Sequence, residues 1–173
     1  MAYSLEEVSD RLEINDTIIR YVHALDDHEI DVLDTVFTPD CLFDFTSVGG
    51  AIARYTEFKS FLEVLRHTCT RDMHVFGMSR ITFLDEQRSM AKVKSKVLNP
   101  MGAMKDGREV FFQHHGTYDD LFVKLPEGWR IKERTWNYGW ISGDNPYEGT
   151  TMGEARAALA GEYLASLEAS SSS

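Results

Sequence analysis

The chain has 173 residues, 43% hydrophobic and 12% aromatic, with 18 basic against 28 acidic side chains and a formal net charge of −10. That supports one sizeable core and is too short for two, so a single domain over 1–173 is expected, with its core at 5–140 and a C-terminal helix and tail at 141–173. The negative field repels phosphate backbones and anionic lipid, and the basic residues are scattered, so neither nucleic acid nor a membrane is an expected partner.

The first residues, acidic and amphipathic, lack the basic start and apolar run of a secretory leader, and no stretch is long and apolar enough for a membrane span. A cytoplasmic protein is expected. Ser4 followed by Glu7 has the form of a capping box, and Leu5, Val8, Leu12, Ile18, Ile19, Val22 and Leu25 recur at helical spacing, predicting a long first helix that ends near Asp26. A shorter helix carrying Val32, Leu33, Val36 and Phe37 is predicted to stop at Pro39, and Cys41 to Phe45 reads as a strand broken by Gly49-Gly50. Thr56 is placed to cap a third helix with Phe58, Phe61, Leu62 and Leu65 on one face. Extended segments follow at about 72–84, 88–99, 109–124 and 128–140, separated by turn signals at Asp85-Glu86, Asn99-Pro100, Lys105-Asp106-Gly107 and Pro126-Glu127-Gly128. Ala-rich residues from Met152 to Leu167 predict a peripheral helix, and Ala169 to Ser173 a frayed tail.

Helices first and a meander afterwards imply an α+β domain, with helices covering one face of a curved antiparallel sheet and a pocket between them. Cys41 and Cys69 lack CxxC spacing and point to neither a disulfide nor a zinc site. There is no HExxH, GxGxxG, P-loop or GxSxG, so no metal, nucleotide cofactor or activated serine is expected.

Candidate chemistry centres on two residues. Asp26 lies at a helix end where the dipole disfavours a carboxylate: it is a solvated helix-end acid or a group with a compensating partner. His74, among Met73, Val75, Phe76 and Met78, is a satisfied core imidazole or a base whose ordinary pKa of about 6.5 suits proton transfer. A carboxylate bonded to one ring nitrogen would fix the tautomer and make the other nitrogen the better base. Alternation puts Phe112, His114, Gly116 and Tyr118 on one face of their strand and Phe111, Gln113, His115 and Thr117 on the other, so His114 and His115 cannot share a metal. Asn99 reads as a turn residue or a pocket donor, and Tyr118 as a sheet aromatic or a donor. Trp129 to Trp136 reads as a strand packed on one side with ion pairs on the other, while Trp136, Tyr138 and Trp140 alternatively extend an aromatic wall.

Three segments in this order resemble the nuclear transport factor 2-like superfamily, in its SnoaL-like and scytalone dehydratase-like branch. They are Ile18 to Asp26 with Asp31-Val32-Leu33 and Phe37 to Asp40; Met73-His74; and Gly116 to Asp119 leading to Gly128-Trp129-Arg130-Ile131. The resemblance covers about 5–140 and implies a cone of curved sheet closed by N-terminal helices around a deep pocket. It also implies an Asp26–His74 acid–base pair, with Asn99, His114 and Tyr118 at pocket-facing positions. Leu25 and Phe45 stand where scytalone dehydratase has tyrosines, which argues against that reaction itself.

The expected activity is therefore a cofactor-independent lyase or isomerase of the dehydratase type. Its substrate would be a small apolar, aromatic, polyketide-like or terpenoid-like molecule, contacted by Tyr21, Phe45, Phe76, Asn99, Phe112, His114, Tyr118 and Trp136, with Phe43 a further candidate wall. The rivals are a non-catalytic β subunit of a ring-hydroxylating dioxygenase and a ligand-binding or polyketide-cyclase relative. A homodimer or homotrimer is expected from the family and from a sheet face carrying Trp136 and Trp140.

Overall fold

The computed structural model describes residues 3–48, 51–65 and 69–146, and the predicted helix at 152–167 and its tail lie outside them. Helix α1 spans Leu5–Asp26. The Glu7 backbone N–H donates to Ser4 Oγ at 3.1 Å, completing half of the capping box, while the Glu7 carboxylate instead takes the Arg11 guanidinium one turn on. The buried stripe of α1 runs Asp10, Ile14, Thr17, Ile18, Tyr21, Ala24 and Leu25 at three- and four-residue spacing. Asp10 is tolerated there because Lys124 Nζ at 2.6 Å, Arg88 Nε at 2.9 Å and the Trp129 indole N–H at 3.0 Å all donate to it.

A 3-10 turn at Ile30–Thr35 leads into strand β1 (Phe37–Asp44), a second such turn at Thr46–Val48, strand β2 (Ile52–Arg54) and helix α2 (Tyr55–Leu65). Pro39 thus lies inside β1 rather than ending a helix. The pairing of β1 with its neighbour is irregular between Phe37 and Leu42, so the missing proline N–H falls where no regular ladder bond is needed. α2 starts one residue before Thr56, and the Glu57 carboxylate accepts the Arg54 backbone N–H at 2.7 Å.

Strands β3 (Cys69–Asp72), β4 (Val75–Phe76), β5 (Arg80–Phe83), β6 (Met90–Lys105), β7 (Arg108–Leu125) and β8 (Gly128–Gly143) complete an eight-stranded sheet. Its order is β2-β1-β8-β7-β6-β3, with β4 and β5 also paired to β6. The expected sheet was wholly antiparallel; in fact β1 runs parallel to β8, and the sheet is mixed. Asp106 and Gly107, with φ of 52° and 76°, make the tight β6–β7 turn that the sequence predicts. Asn99-Pro100 makes none: both residues sit within β6, opposite His114 and Gln113.

The core lies between α1, α2 and the concave face of the sheet, where Ile14, Ile18, Tyr21 and Leu25 meet Val93, Val97, Phe122 and Ile131. Phe43, expected as a pocket wall, is fully buried and stacks on Phe58 at 4.2 Å between ring centres. β8 carries two irregularities opposite β7, one skipping Lys132 and one skipping Gly139. Each extra residue reverses which side chains face inward.

Candidate active site

Asp26 is the last residue of α1, where the exposed carbonyls of the final turn oppose a negative charge. His74 answers it from the two-residue gap between β3 and β4. Its ring Nδ1 lies 2.7 Å from Asp26 Oδ1, and its backbone N–H donates to Oδ2 and Oδ1 at 3.0 and 3.2 Å. Inside a regular strand that N–H would belong to the ladder; the gap frees it for the carboxylate. Burial works to raise the Asp26 carboxyl, but the ring and backbone hydrogen bonds from His74 outweigh it and hold the group below its ordinary value. An ionised Asp26 can only accept, so Nδ1 carries the proton and Nε2 is the basic nitrogen. The two side chains are 21% and 10% exposed, half-sheltered rather than sealed.

Nε2 points toward β6, where Asn99 Nδ2 stands 3.2 Å away. The inward row continues in register: Asn99 faces His114, Val97 faces Gly116, Ser95 faces Tyr118 and Met101 faces Phe112. Burial pushes the His114 imidazole down to about 4, helped by the neighbouring charges of His115 and His74, so it is neutral at ordinary pH. Tyr21 and Tyr118 place their hydroxyls 3.4 Å apart, and burial pushes both phenols up, so each keeps its proton and one donates to the other. Tyr21 makes edge contacts with His74 at 6.1 Å and Phe76 at 5.8 Å, Phe76 stacks on Tyr118 at 5.7 Å, and Trp136 tilts against Tyr118 at 4.8 Å.

The fold thus brings Tyr21, Asp26, His74, Phe76, Asn99, Tyr118 and Trp136 into one connected group. Phe45 belongs to the neighbouring stack with Phe43 and Phe58. Phe112 joins Met101, Ala103 and Ile141 in a small second cluster and touches the His114 ring edge-on at 5.5 Å. His114 and His115 do diverge: His115 stacks on the exposed Trp140 at 4.4 Å and meets Ser142 Oγ at 2.9 Å on the outer face. Trp136 is buried, so of the two tryptophans expected on the sheet surface only Trp140 is there. Burial pushes the Cys41 thiol up to about 12, which disfavours it as a nucleophile. Among the described residues no three His, Cys, Asp or Glu groups are placed to hold a metal ion.

Two partners escaped the sequence. Arg134, expected among surface ion pairs, is completely buried, because the irregularity at Lys132 turns it inward. Its Nε and Nη2 each donate at 2.8 Å to the two oxygens of Asp120, also fully buried, and its guanidinium lies 4.1 and 4.2 Å from the Tyr21 and Tyr118 ring centres. Burial pushes Asp120 up against the pull of Arg134 and the guanidinium is held protonated beyond its usual range, while both Asp120 oxygens accept from it, the geometry of a bidentate ion pair. Asp72 on β3 is the second: burial raises its carboxyl, opposed by His74 and reinforced by Asp26.

Two surface clefts lie away from this group. One of about 690 Å³ lies among Asp72, Met73, Pro100, Met101, Phe111 and Phe112, so it draws on side chains from both faces of the sheet and reaches Asp72 and Phe112. The other, of about 400 Å³, runs between Glu13, Arg20 and the β7–β8 turn. Neither is lined by Asp26, His74, Asn99 or Tyr118.

A helix-covered curved sheet, with Asp26 at the end of its first helix hydrogen-bonded to His74 in the gap between two edge strands, has the architecture of a nuclear transport factor 2-like protein. The SnoaL-like domain matches residues 6–135, and the chain belongs to that family. An uncharacterized protein of Mycobacterium tuberculosis is 36% identical over 131 residues, covering 76% of this chain and 86% of that one. Among solved structures, a candidate scytalone dehydratase from Novosphingobium aromaticivorans is 20% identical with a TM-score of 0.69, covering 84% and 95% of the two chains. The type 3 hexachlorocyclohexane dehydrochlorinase LinA from Novosphingobium barchaimii is 12% identical with a TM-score of 0.69, covering 86% and 97%. At these identities the two structures speak for the fold. No helix among the described residues is long and apolar enough to cross a membrane.

Proposed function

We propose that this protein is a cofactor-independent lyase of the dehydratase type acting on a small apolar or aromatic hydroxy compound, working as a cytoplasmic homo-oligomer. The observation that carries the reading is the 2.7 Å contact from His74 Nδ1 to Asp26, which leaves Nε2 basic and turned toward the concave face. Nε2 takes a proton from carbon next to an activating carbonyl, and the C–H electron pair becomes the new C=C bond. The C–O bond breaks with its pair on oxygen, and the imidazolium returns its proton to that oxygen, so water leaves and the neutral base is restored. Asp26 stabilises the transient imidazolium, a base of this kind contributing about 10²–10⁴-fold. Donors such as Tyr118 polarise the carbonyl, in a site whose apolar walls strengthen each such contact. The kinship in fold with a candidate scytalone dehydratase and a dehydrochlorinase supports an elimination.

The test is a panel of hydroxy-ketones and aromatic polyketides with wild-type protein, His74→Ala and Asp26→Asn. Elimination by the wild type that falls at least about a hundredfold in each folded variant is expected. Unchanged activity in both variants removes the pair from the mechanism, and stable co-purification with a large Rieske-type chain would favour the structural-subunit reading instead.

A further inference from the structure

Opposite Asp26 across the His74 ring, Asn99 presents Nδ2 to Nε2 at 3.2 Å, while Oδ1 of the same amide is buried and has no hydrogen-bond partner. A buried acceptor without a donor carries its full desolvation cost, and native proteins keep such groups mainly where something else completes them. The alternative placing of the amide, with oxygen toward Nε2, demands a proton on that nitrogen. Because Asp26 already holds Nδ1–H, this arrangement fits only the imidazolium. The two orientations of one amide therefore match the two protonation states of the ring.

We propose that Asn99 is a positioning residue which, in the resting protein, covers the His74 lone pair with its NH2 group and offers its unpartnered oxygen to a hydroxyl of the substrate. This rests on the elimination reading above and narrows it. A substrate whose leaving group is O–H supplies the missing donor; a halide, which has no proton to give, does not. The titratable groups facing His74 are Asp26 and Tyr21 from α1, Asp72 from β3 and His114 from β7.

Nitrogen-15 spectra of the full chain, labelled in histidine and asparagine and recorded at pH 8, test the proposal without turnover, so its failure is separable from failure of the elimination. The wild type is expected to show His74 Nδ1 protonated and Nε2 unprotonated but hydrogen-bonded. In Asn99→Ala the Nε2 signal moves toward that of a bare ring nitrogen while Nδ1, held by Asp26, stays. Asn99→Asp, of the same size, places two acceptors at Nε2 and draws a proton onto it. Phenol is expected to move the Asn99 side-chain NH2 signals, and fluorobenzene at matched concentration to leave them in place. A protonated Nε2 in the wild type, an unmoved Nε2 signal in Asn99→Ala, or an unprotonated one in Asn99→Asp overturns the covering role. An equal response to the two probes, or none to phenol, overturns the hydroxyl role.

Discussion

Arg134→Met keeps the length and apolar stem of the side chain and removes its charge. The change strands Asp120, whose carboxylate then has neither water nor its two 2.8 Å donors. Removing one partner of a buried pair typically costs about 3–5 kcal/mol. Two cation–π contacts, at 4.1 and 4.2 Å, disappear as well, each worth up to about 2 kcal/mol when desolvated and not additive with the pair. For a domain of this size 1 kcal/mol corresponds to roughly 2–4 °C, so the midpoint of thermal unfolding, followed by circular dichroism, is expected to fall by roughly 6–20 °C. Adding Asp120→Leu removes the stranded charge and is expected to recover most of the loss, since apolar replacement of a whole buried pair is often near neutral. A single variant that loses less than about 1 kcal/mol, or a double variant less stable than the single, would refute the account of Arg134 as a charge held by Asp120.

Asp26→Asn should leave the backbone clamp on His74 partly intact but let the new NH2 donate to Nδ1, driving the ring to its other tautomer; ring-nitrogen spectra showing Nδ1 still protonated would contradict this. Gly116→Ala is expected to displace the Trp136 ring, because a Cβ there would lie 2.8 Å from two ring carbons and 2.6 Å from the Asn137 carbonyl oxygen, costing about 1–3 kcal/mol and changing tryptophan fluorescence. His114 titrates near 4 when folded against an ordinary value of about 6.5, so the unfolded chain binds the extra proton between those values and stability rises with pH across that window, by on the order of 3 kcal/mol. In His114→Phe that dependence should flatten in urea unfolding from pH 4 to 6.5. Burial works to raise the Asp10 carboxyl, but Lys124, Arg88 and Trp129 lower it below its ordinary value, so its contribution is present above pH 4 and fades as pH falls through the folded value. The stability gap between wild type and Asp10→Asn should therefore narrow in acid.

Periodicity made α1 and the long hairpins of the sheet legible, and the family resemblance singled out Asp26 with His74. What escaped was whatever depends on one extra residue in a strand. Strict alternation puts Arg134 and Trp136 on the same side as Arg130 and Lys132, the expected charged face; the irregularity at Lys132 reverses that parity, and the irregularity at Gly139 sends Trp140 outward again. No composition signal marks such a bulge when the skipped residue is a lysine. Asn99-Pro100 misleads in the other direction, since the pair spells a turn in isolation. Pro100 instead sits where β6 exchanges one short edge partner for another, with the Met73 N–H donating to its carbonyl at 3.1 Å. The Asp10 cluster was hidden because its donors come from the turn before β6 and from the β7–β8 hairpin, both far from α1 along the chain.

The gap between β3 and β4 has a consequence for how such a site diversifies. A base carried within an unbroken strand could be moved only by sliding the whole strand, at the expense of every rung beside it. Here the imidazole hangs from a two-residue bridge whose first N–H holds to β6 and whose second holds to the helix end, so small changes in that bridge can re-aim the proton acceptor while the architecture around it stays as it was.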